Sequence, residues 1–315
     1  VEEDKGVGHM SNATIYRGDA LSILKTLPDE SIQLVITSPP YYRIKDYGVE
    51  GQIGLEQSIH EYIDKLLAIT SQIHRVLKKD GAFYLNIQDC YNSDSSAYQH
   101  GTVVGDKDEK SRISNKIRNK HQRDIKPKSL MGIPERLYIR MIDEQKWVSR
   151  NKIIWKKTHP KPSGWNHIDR FKPSWEYIYF FTKSPHYYFD DKAIRRAYTS
   201  DWGLKGNKDK SEKRNPYGTI MEDFIDIPPE IWTMDNGGSR FHVASFPESL
   251  PERAIRFNSR EGDTVLDPFL GSGTTASASL KLNRNVIGID LSTEYIHHAV
   301  NMLNDLGHIE LIGME

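Results

Sequence analysis

The chain has 315 residues, enough for one large α/β domain with an excursion or for two domains. Lys plus Arg and Asp plus Glu each number 43, so no global basic charge announces a polyanionic partner, and any such contact must rest on local patches. The single cysteine, Cys90, excludes internal disulfides and a cysteine-rich metal site, and no apolar run approaches the roughly 20 residues of a bilayer span. With no secretory leader visible, these features suit a soluble protein of a reducing cytoplasm and give no reason to expect a membrane partner. Residues 1–10 are polar and patternless, and Gly8-His9 reads as a remnant ahead of Met10.

A strand is expected at Ala13 to Arg17, then Gly18-Asp19, then a helix from Ala20 to Leu27 ending before Pro28. A second strand, Gln33 to Thr37, runs straight into Ser38-Pro39-Pro40-Tyr41-Tyr42. Beyond a glycine-rich loop, Ile59, Tyr62, Ile63, Leu66, Leu67, Ile73, Val76 and Leu77 share one face of a long helix that Asp80-Gly81 should stop. A third strand, Ala82 to Ile87, follows, and the order strand, helix, strand argues for a parallel sheet with right-handed crossovers. The apolar pattern then disappears from Asn92 to about Lys128. Between Gly101 and Lys128 nine Lys/Arg stand against four acids, a local net of +5. A charge run of this kind is commonly a solvated loop; beside the Pro-Pro segment it is expected to touch phosphate.

Regular structure should return with a helix from Pro134 to Gln145 and strands at Lys152 to Trp155 and Glu176 to Thr182. From Asp190 to Gly238 the chain is irregular and rich in cations, which reads as a small appended lobe. A helix at Pro251 to Asn258, a strand at Thr264 to Asp267, a glycine turn leading into another helix, a strand from Asn285 that ends in Asp290, and a helix from Thr293 to Leu306 complete the chain. No repeat or heptad series is present.

Two stretches bear chemistry. In Thr264-Val265-Leu266-Asp267-Pro268-Phe269-Leu270-Gly271-Ser272-Gly273-Thr274-Thr275, a short strand meets a glycine turn and a helix start. Gly271 and Gly273 admit positive φ and leave room for a ligand, and the free N–H groups of the helix start suit a carboxylate or phosphate. The spacing is not that of a dinucleotide fold, and Asp267 would repel a pyrophosphate but attract an ammonium group. Asp290, at the carboxyl end of the next strand, is placed to accept hydrogen bonds from ribose hydroxyls. A zwitterionic nucleoside cofactor, S-adenosylmethionine, fits both acids. A Gly-Ser-Gly run alone is only a tight turn; strand, acid, turn, helix, strand and second acid in order say more. In the other stretch, consecutive prolines fix φ and force an extended corner at the sheet's carboxyl edge. There Ser38 Oγ and a proline-corner carbonyl can accept the hydrogens of an exocyclic amine while Tyr41 stacks on its ring. The bland alternative is a Pro-Pro turn with a half-buried tyrosine.

Taken together, these motifs resemble those of permuted DNA amino-methyltransferases, in which Pro-Pro-Tyr precedes the S-adenosylmethionine motif. Ser38-Pro39-Pro40-Tyr41 is similar to the form that marks cytosine-N4 enzymes, whereas adenine-N6 enzymes usually start with Asp or Asn. The run from Asp267, Pro268 and Phe269 through Gly271, Ser272, Gly273 and Thr274 resembles the family's cofactor loop. Phe246-Pro247-Glu248-Ser249-Leu250 resembles its helix-leading cofactor motif, and Gly18-Asp19-Ala20 the motif near the adenine. Asn151 to Lys157, followed by Arg170, Glu176 and a Tyr/Phe-rich strand, also matches. The resemblance spans Ile15 to Leu306 and implies a doubly wound, mostly parallel Rossmann-like methyltransferase sheet with an inserted target-recognition lobe. The expected organisation is a catalytic subregion over 11–92, a basic loop over 93–130, more catalytic domain over 131–190, the recognition lobe over 191–240 and the cofactor subregion over 241–315.

It further implies Ser38, Pro39, Pro40 and Tyr41 as catalytic residues, and Asp19, Phe246, Pro247, Ser249, the cofactor-loop residues and Asp290 around S-adenosylmethionine. The implied partner is double-stranded DNA with a flipped cytosine, methylated without a covalent intermediate; a cognate restriction endonuclease is possible, and the chain would be a monomer or homodimer. Cys90 is expected to be a buried structural thiol. Trp202 and Trp232 are candidates for DNA contact or lobe core. Without an H-E-x-x-H or paired histidine spacing, no metal is expected. The rivals are an adenine-N6 enzyme and, in a different class, a non-catalytic DNA-binding module that kept the fold; a damaged cofactor loop would mark the latter, and none of those positions is damaged.

Overall fold

The computed structural model describes residues 11–43, 46–92, 122–157, 170–171, 173–197, 215–227 and 246–314. The first half supplies β1 (Asn12–Arg17), α1 (Ala20–Leu24), β2 (Ile32–Thr37), α2 (Ile59–Val76), β3 (Leu77–Ile87), α3 (Ile133–Gln145) and β4 (Val148–Lys156). There follow β5 (Trp175–Thr182), a 3-10 turn (Asp191–Ile194), and the short strands β6 (Arg195–Arg196), β7 (Thr219–Ile220) and β8 (Phe224–Asp226). The last part holds α4 (Ser249–Asn258), β9 (Thr264–Asp267), α5 (Thr274–Lys281), β10 (Asn285–Asp290), α6 (Thr293–Leu303) and β11 (His308–Ile312).

Among the described residues nine strands form one sheet in the order β11-β1-β10-β9-β2-β3-β5-β4-β8. Only β5 runs against the rest, pairing antiparallel with both β3 and β4. The central strands of the sheet are buried on both faces, and their alternate side chains enter different cores. Val35, Phe83, Leu85 and Phe181 pack with α1, α2 and α3. Their neighbours Leu34, Ile36, Tyr84 and Phe180 pack with α4 on the other face. A third cluster seats α5 and α6 on Ala13, Ile15 and Val286. This is the doubly wound, mostly parallel α/β architecture that the motif order implied.

The middle of the sheet fixes where chemistry can occur. From β9 the chain winds outward to β10, whereas from β2 it winds the opposite way to β3, and β9 and β2 are paired neighbours. A crevice therefore opens between their carboxyl ends, the topological switch point at which open α/β sheets bind ligands. The corner 38–41 follows β2 there, and the glycine turn follows β9.

Several boundaries differ from expectation for physical reasons. Helix α1 stops at Leu24, because Thr26 and Leu27 hydrogen-bond three residues back and wind the last turn tighter before Pro28. Asp80-Gly81 does not end α2; the helix ends at Val76 and the glycine lies inside β3, in a register shift between the Ile32–Leu77 and Leu34–Ala82 pairs. A Cβ on Gly81 would come within 2.9 Å of the Gln33 carbonyl oxygen, so the bulge admits glycine there. Strand β4 starts at Val148, four residues earlier than the apolar run suggested, and α6 closes at Leu303. Strand β11 at the sheet edge was not expected: its burial is nearly uniform and mostly exposed, with no alternation to betray it. Within the stretch expected to be an irregular lobe, β6 and β7 form a two-stranded ribbon, and β8 joins β4 as the last strand of the main sheet.

Candidate active site at the carboxyl edge of the sheet

The crevice is a cleft holding about 1000 Å³ of empty space, open mouth included. It is lined from α1 by Asp19, from the proline corner by Ser38 and Pro40, from the glycine turn by Asp267 to Ser272, and from the strand beyond by Asp290. Phe246 closes one wall.

Asp267 joins the two halves. The carboxylate is 3 % exposed and accepts from Thr37 Oγ1 at 2.6 Å on one oxygen and from Thr275 Oγ1 at 2.7 Å on the other. Phe269 N–H adds a third bond at 3.1 Å. Thr37 is the last residue of β2 and Thr275 lies in the first turn of α5, so one buried acid ties the proline corner to the cofactor turn across 230 positions of sequence. Burial pushes the Asp267 carboxyl up to about 6, with the two threonine hydroxyls and the Phe269 amide pulling it back. Asp290 is built the same way: Gly271 N–H and Ser292 N–H each donate at 2.8 Å, while burial raises its carboxyl above the ordinary range. Asp19 caps α1, receiving Ser22 N–H at 2.8 Å and Ser22 Oγ at 2.7 Å on Oδ1 alone, so Oδ2 keeps its acceptor capacity.

The two glycines of the turn divide the work. Both have positive φ, 54° at Gly271 and 88° at Gly273. Gly271 lines the cleft. Gly273 instead faces α6: a Cβ there would lie 3.0 Å from Ala299 Cβ and 3.2 Å from Met302 Cε. Its role is close helix packing at the cap of α5.

On the other side of Ser38 the structure gathers residues that sequence reasoning left without a role. Ser38 Oγ donates to Tyr41 Oη at 3.3 Å, and Tyr41 Oη donates to Glu176 Oε2 at 2.9 Å, with Asn86 Oδ1 at 3.1 Å. Asn86 Nδ2 donates to the same Glu176 oxygen at 3.1 Å and to the Tyr177 carbonyl at 3.0 Å. The Glu176 side chain is 1 % exposed and forms an ion pair with Lys157. Burial first, then the Glu176 charge, raises the Tyr41 phenol well above its ordinary range, so it stays protonated as a donor.

Among the expected cofactor residues, Asp19, Phe246, Asp267, Pro268, Phe269, Gly271, Ser272, Thr274 and Asp290 line the cleft. Pro247 is buried and its carbonyl accepts Leu250 N–H at 2.9 Å, and Ser249 begins α4; neither lines the cleft, nor do Pro39 and Tyr41. Sequence reasoning missed the loop after the proline corner, where Tyr47, Val49, Gly51, Gln52 and Ile53 form the outer wall, and it missed Tyr295, which packs edge-on to Tyr47 at 5.8 Å. The glycine spacing 48, 51 and 54 was the available signal.

Cys90 is half-buried against Met131, its sulfur 3.9 Å from the thioether; burial and the neighbouring Asp89 push the thiol up to about 12. Among the described residues no group of His, Cys, Asp and Glu is placed to hold a metal, and no helix is long and apolar enough to cross a membrane. Residues 93–121 of the basic loop, with most of its cations, lie outside the described residues, as do Trp202 and Trp232. The ends of that loop are pinned by Asn92 and Gln122, which exchange bonds at 2.9 and 3.0 Å.

The family model for N6/N4 methyltransferases, described as DNA methylase, matches residues 32–301. The chain is 35 % identical over 295 residues to the type II methyltransferase M.Cfr9I of Citrobacter freundii, covering 93 % of this chain and 88 % of that protein. It is 34 % identical over 288 residues to the type II methyltransferase M.SmaI of Serratia marcescens, covering 91 % and 89 %. In fold it resembles the PvuII DNA methyltransferase (cytosine-N4-specific), with a TM-score of 0.64 at 23 % identity over 96 % of this chain and 95 % of that one. A putative DNA modification methylase from Thermus thermophilus, complexed with S-adenosyl-L-methionine, has the same fold at a TM-score of 0.61 and 22 % identity over 96 % and 99 %. The chain thus belongs to the N6/N4 DNA methylases, the S-adenosylmethionine-dependent amino-methyltransferases in which the Pro-Pro-Tyr segment precedes the cofactor loop.

Proposed function

We infer that this DNA methyltransferase modifies the exocyclic 4-amino group of a cytosine flipped out of double-stranded DNA, as the modification half of a restriction-modification pair. The observation that supports it most is the Thr37–Asp267–Thr275 bridge, which sets Ser38 and Pro40 in the same cleft as the glycine turn. The residues of the cleft fit S-adenosylmethionine: Gly271 removes the Cβ at the turn, buried Asp267 supplies negative charge for an ammonium, and Asp19 Oδ2 and Asp290 offer acceptors to ribose hydroxyls. When bound, that cofactor supplies a methyl group activated by a sulfonium.

The protein's part is positioning and exclusion of water. Ser38 Oγ directs its own proton to Tyr41, so its lone pairs are left to accept a hydrogen of the target amine. Tyr62 Oη donates to the Pro40 carbonyl at 2.8 Å and fixes its direction, and the second lone pair of that oxygen is still able to accept. An amine fixed by such acceptors has its nitrogen lone pair aimed for in-line attack, and proximity supplies much of the acceleration. The base choice rests on Ser38 standing where adenine-modifying relatives carry Asp or Asn, and the PvuII fold neighbour is cytosine-N4-specific by its title.

DNA from a methylation-free host expressing the chain, digested to nucleosides and analysed by mass spectrometry, tests this. N4-methyldeoxycytidine is expected; N6-methyldeoxyadenosine in its place would refute the base assignment, and no methylated nucleoside at all would refute the activity.

A further inference from the structure

The buried carboxylate beside the proline corner has no role in the reading above. Glu176 stands second in β5, the one strand that runs against the sheet, so its side chain arrives at the carboxyl edge from a direction that no parallel strand offers. It is all but inaccessible, yet charged, and every contact that compensates it is specific: Lys157 on Oε1, Tyr41 and Asn86 on Oε2. Burying a carboxylate among such partners is costly unless each is satisfied, and an apolar residue of similar size would fill the space at least as stably. The carboxylate is therefore a directional device.

Glu176 Oε2 and Asn86 Oδ1 are both acceptors, and Glu176 fixes the Asn86 amide by taking its Nδ2, so the Tyr41 phenol proton points to this pair, nearer Glu176, and the Oη lone pairs point back toward Ser38. Ser38 then donates to Tyr41 and presents lone pairs to the cleft. Reverse the sense of this chain and Ser38 Oγ would present a proton to an amine that is itself a donor. We propose that Glu176, held by Lys157, is the positioning residue that sets the hydrogen-bond direction through Tyr41 and makes Ser38 an acceptor for the target amine. This rests on the reading of Ser38 given under Proposed function. It adds a cost that base stacking does not give to loss of the Tyr41 hydroxyl: stacking needs only the ring and predicts a mild Tyr41→Phe, whereas the chain predicts a slow one.

The test compares single-turnover methylation of duplex DNA by the wild type, Ser38→Ala, Tyr41→Phe, Glu176→Gln and Glu176→Asp, with cofactor affinity by calorimetry and thermal melting alongside. Glutamine keeps the shape but loses the charge and one of the two acceptor oxygens, so Lys157 and the Tyr41–Asn86 pair can no longer both meet an acceptor and the direction of the chain is no longer fixed. Glu176→Gln is expected to slow the methyl-transfer rate by about 100-fold, the low end for one positioned hydrogen-bond or proton contact, with cofactor affinity unchanged. Glu176→Asp should recover part of the loss. Combining Glu176→Gln with Tyr41→Phe should be no slower than the slower single variant, because both break one chain. If Ser38→Ala turns over at the wild-type rate, the reading of Ser38 and the proposal fall together. If Ser38→Ala is slow while Glu176→Gln is not, or if the double variant is slowed by the product of the two single effects, the positioning role alone is wrong. Should Glu176→Gln melt far below the wild type, Tyr41→Phe, which leaves the ion pair in place, decides: a wild-type rate overturns the proposal and a slow one upholds it.

Discussion

The two groups of acids that flank the proline corner solve the same problem differently. On the cofactor side, buried Asp267 and half-buried Asp290 are held only by hydroxyl and backbone N–H donors, and desolvation pushes both carboxyls up. On the side of β3 and β5, Glu176 is buried with a full cation, Lys157, and with a phenol and an amide. A carboxylate compensated by neutral donors retains an incentive to pair with an incoming ammonium, whereas one already paired acts on its neighbours' geometry. On the reading proposed above, the first pair captures ligand and the second orients the proline corner.

The largest stability effect should come from breaking the ion pair. Lys157→Met leaves an uncompensated charge at 1 % exposure, and although Tyr41 and Asn86 still donate to it, the fold should lose about 3 kcal/mol, the low end for a severed buried pair. A denaturant melt that shifts by much less would show that Glu176 draws little from Lys157.

Cofactor binding should depend on pH through the other acid. The Asp267 carboxyl titrates near 6 in the fold, above its ordinary 3.8, so its protonated form is the better tolerated one and its contribution to folding declines as pH rises from about 4 to about 6. Capture of an ammonium runs the opposite way, since it needs the ionised form. Affinity for S-adenosylmethionine should therefore fall below about pH 6, approaching tenfold per unit (about 1.4 kcal/mol), and Asp267→Asn should be weak at every pH with a flatter profile. Calorimetry between pH 5 and 8 checks this; identical profiles would remove Asp267 from ligand binding and leave it a structural bridge.

Smaller effects test the bridge and the turn. Thr37→Val and Thr275→Val each remove one donor to Asp267 and should cost about 1 kcal/mol in stability, and the double variant should depart from additivity because both bonds end on one carboxylate. Gly273→Ala should cost about 1 kcal/mol through its φ of 88° and its contact with Ala299, with cofactor affinity nearly kept, whereas Gly271→Ala should weaken the cofactor; equal affinity losses would erase the distinction between the two glycines.

Much of this frame is legible in the residues, for reasons the fold makes clear. The apolar stripe of α2 follows the helical period and lies buried as that period requires. Strand, acid and glycine turn are contiguous, so the cofactor loop announces itself locally. The neighbourhood of Ser38 does not: its partners arrive from positions 86, 157 and 176, and neither periodicity nor a short motif tells that β5 is reversed and delivers Glu176 to Tyr41. The same limit applies to Gly273, whose missing side chain is explained by α6 and not by its own loop. Strand β11 escaped notice because an exposed edge leaves no burial pattern in the sequence.

The central claim is that the proline corner and the glycine turn form one site bridged by Asp267. A crystal structure of the chain with S-adenosylmethionine tests it most directly. The account predicts the amino-acid portion beside Asp267, the ribose within hydrogen-bond reach of Asp19 or Asp290, and the methyl carbon directed at the space between Ser38 Oγ and the carbonyl of Pro40. A cofactor bound with its methyl turned away from the corner, or seated outside the β9–β2 crevice, would contradict it.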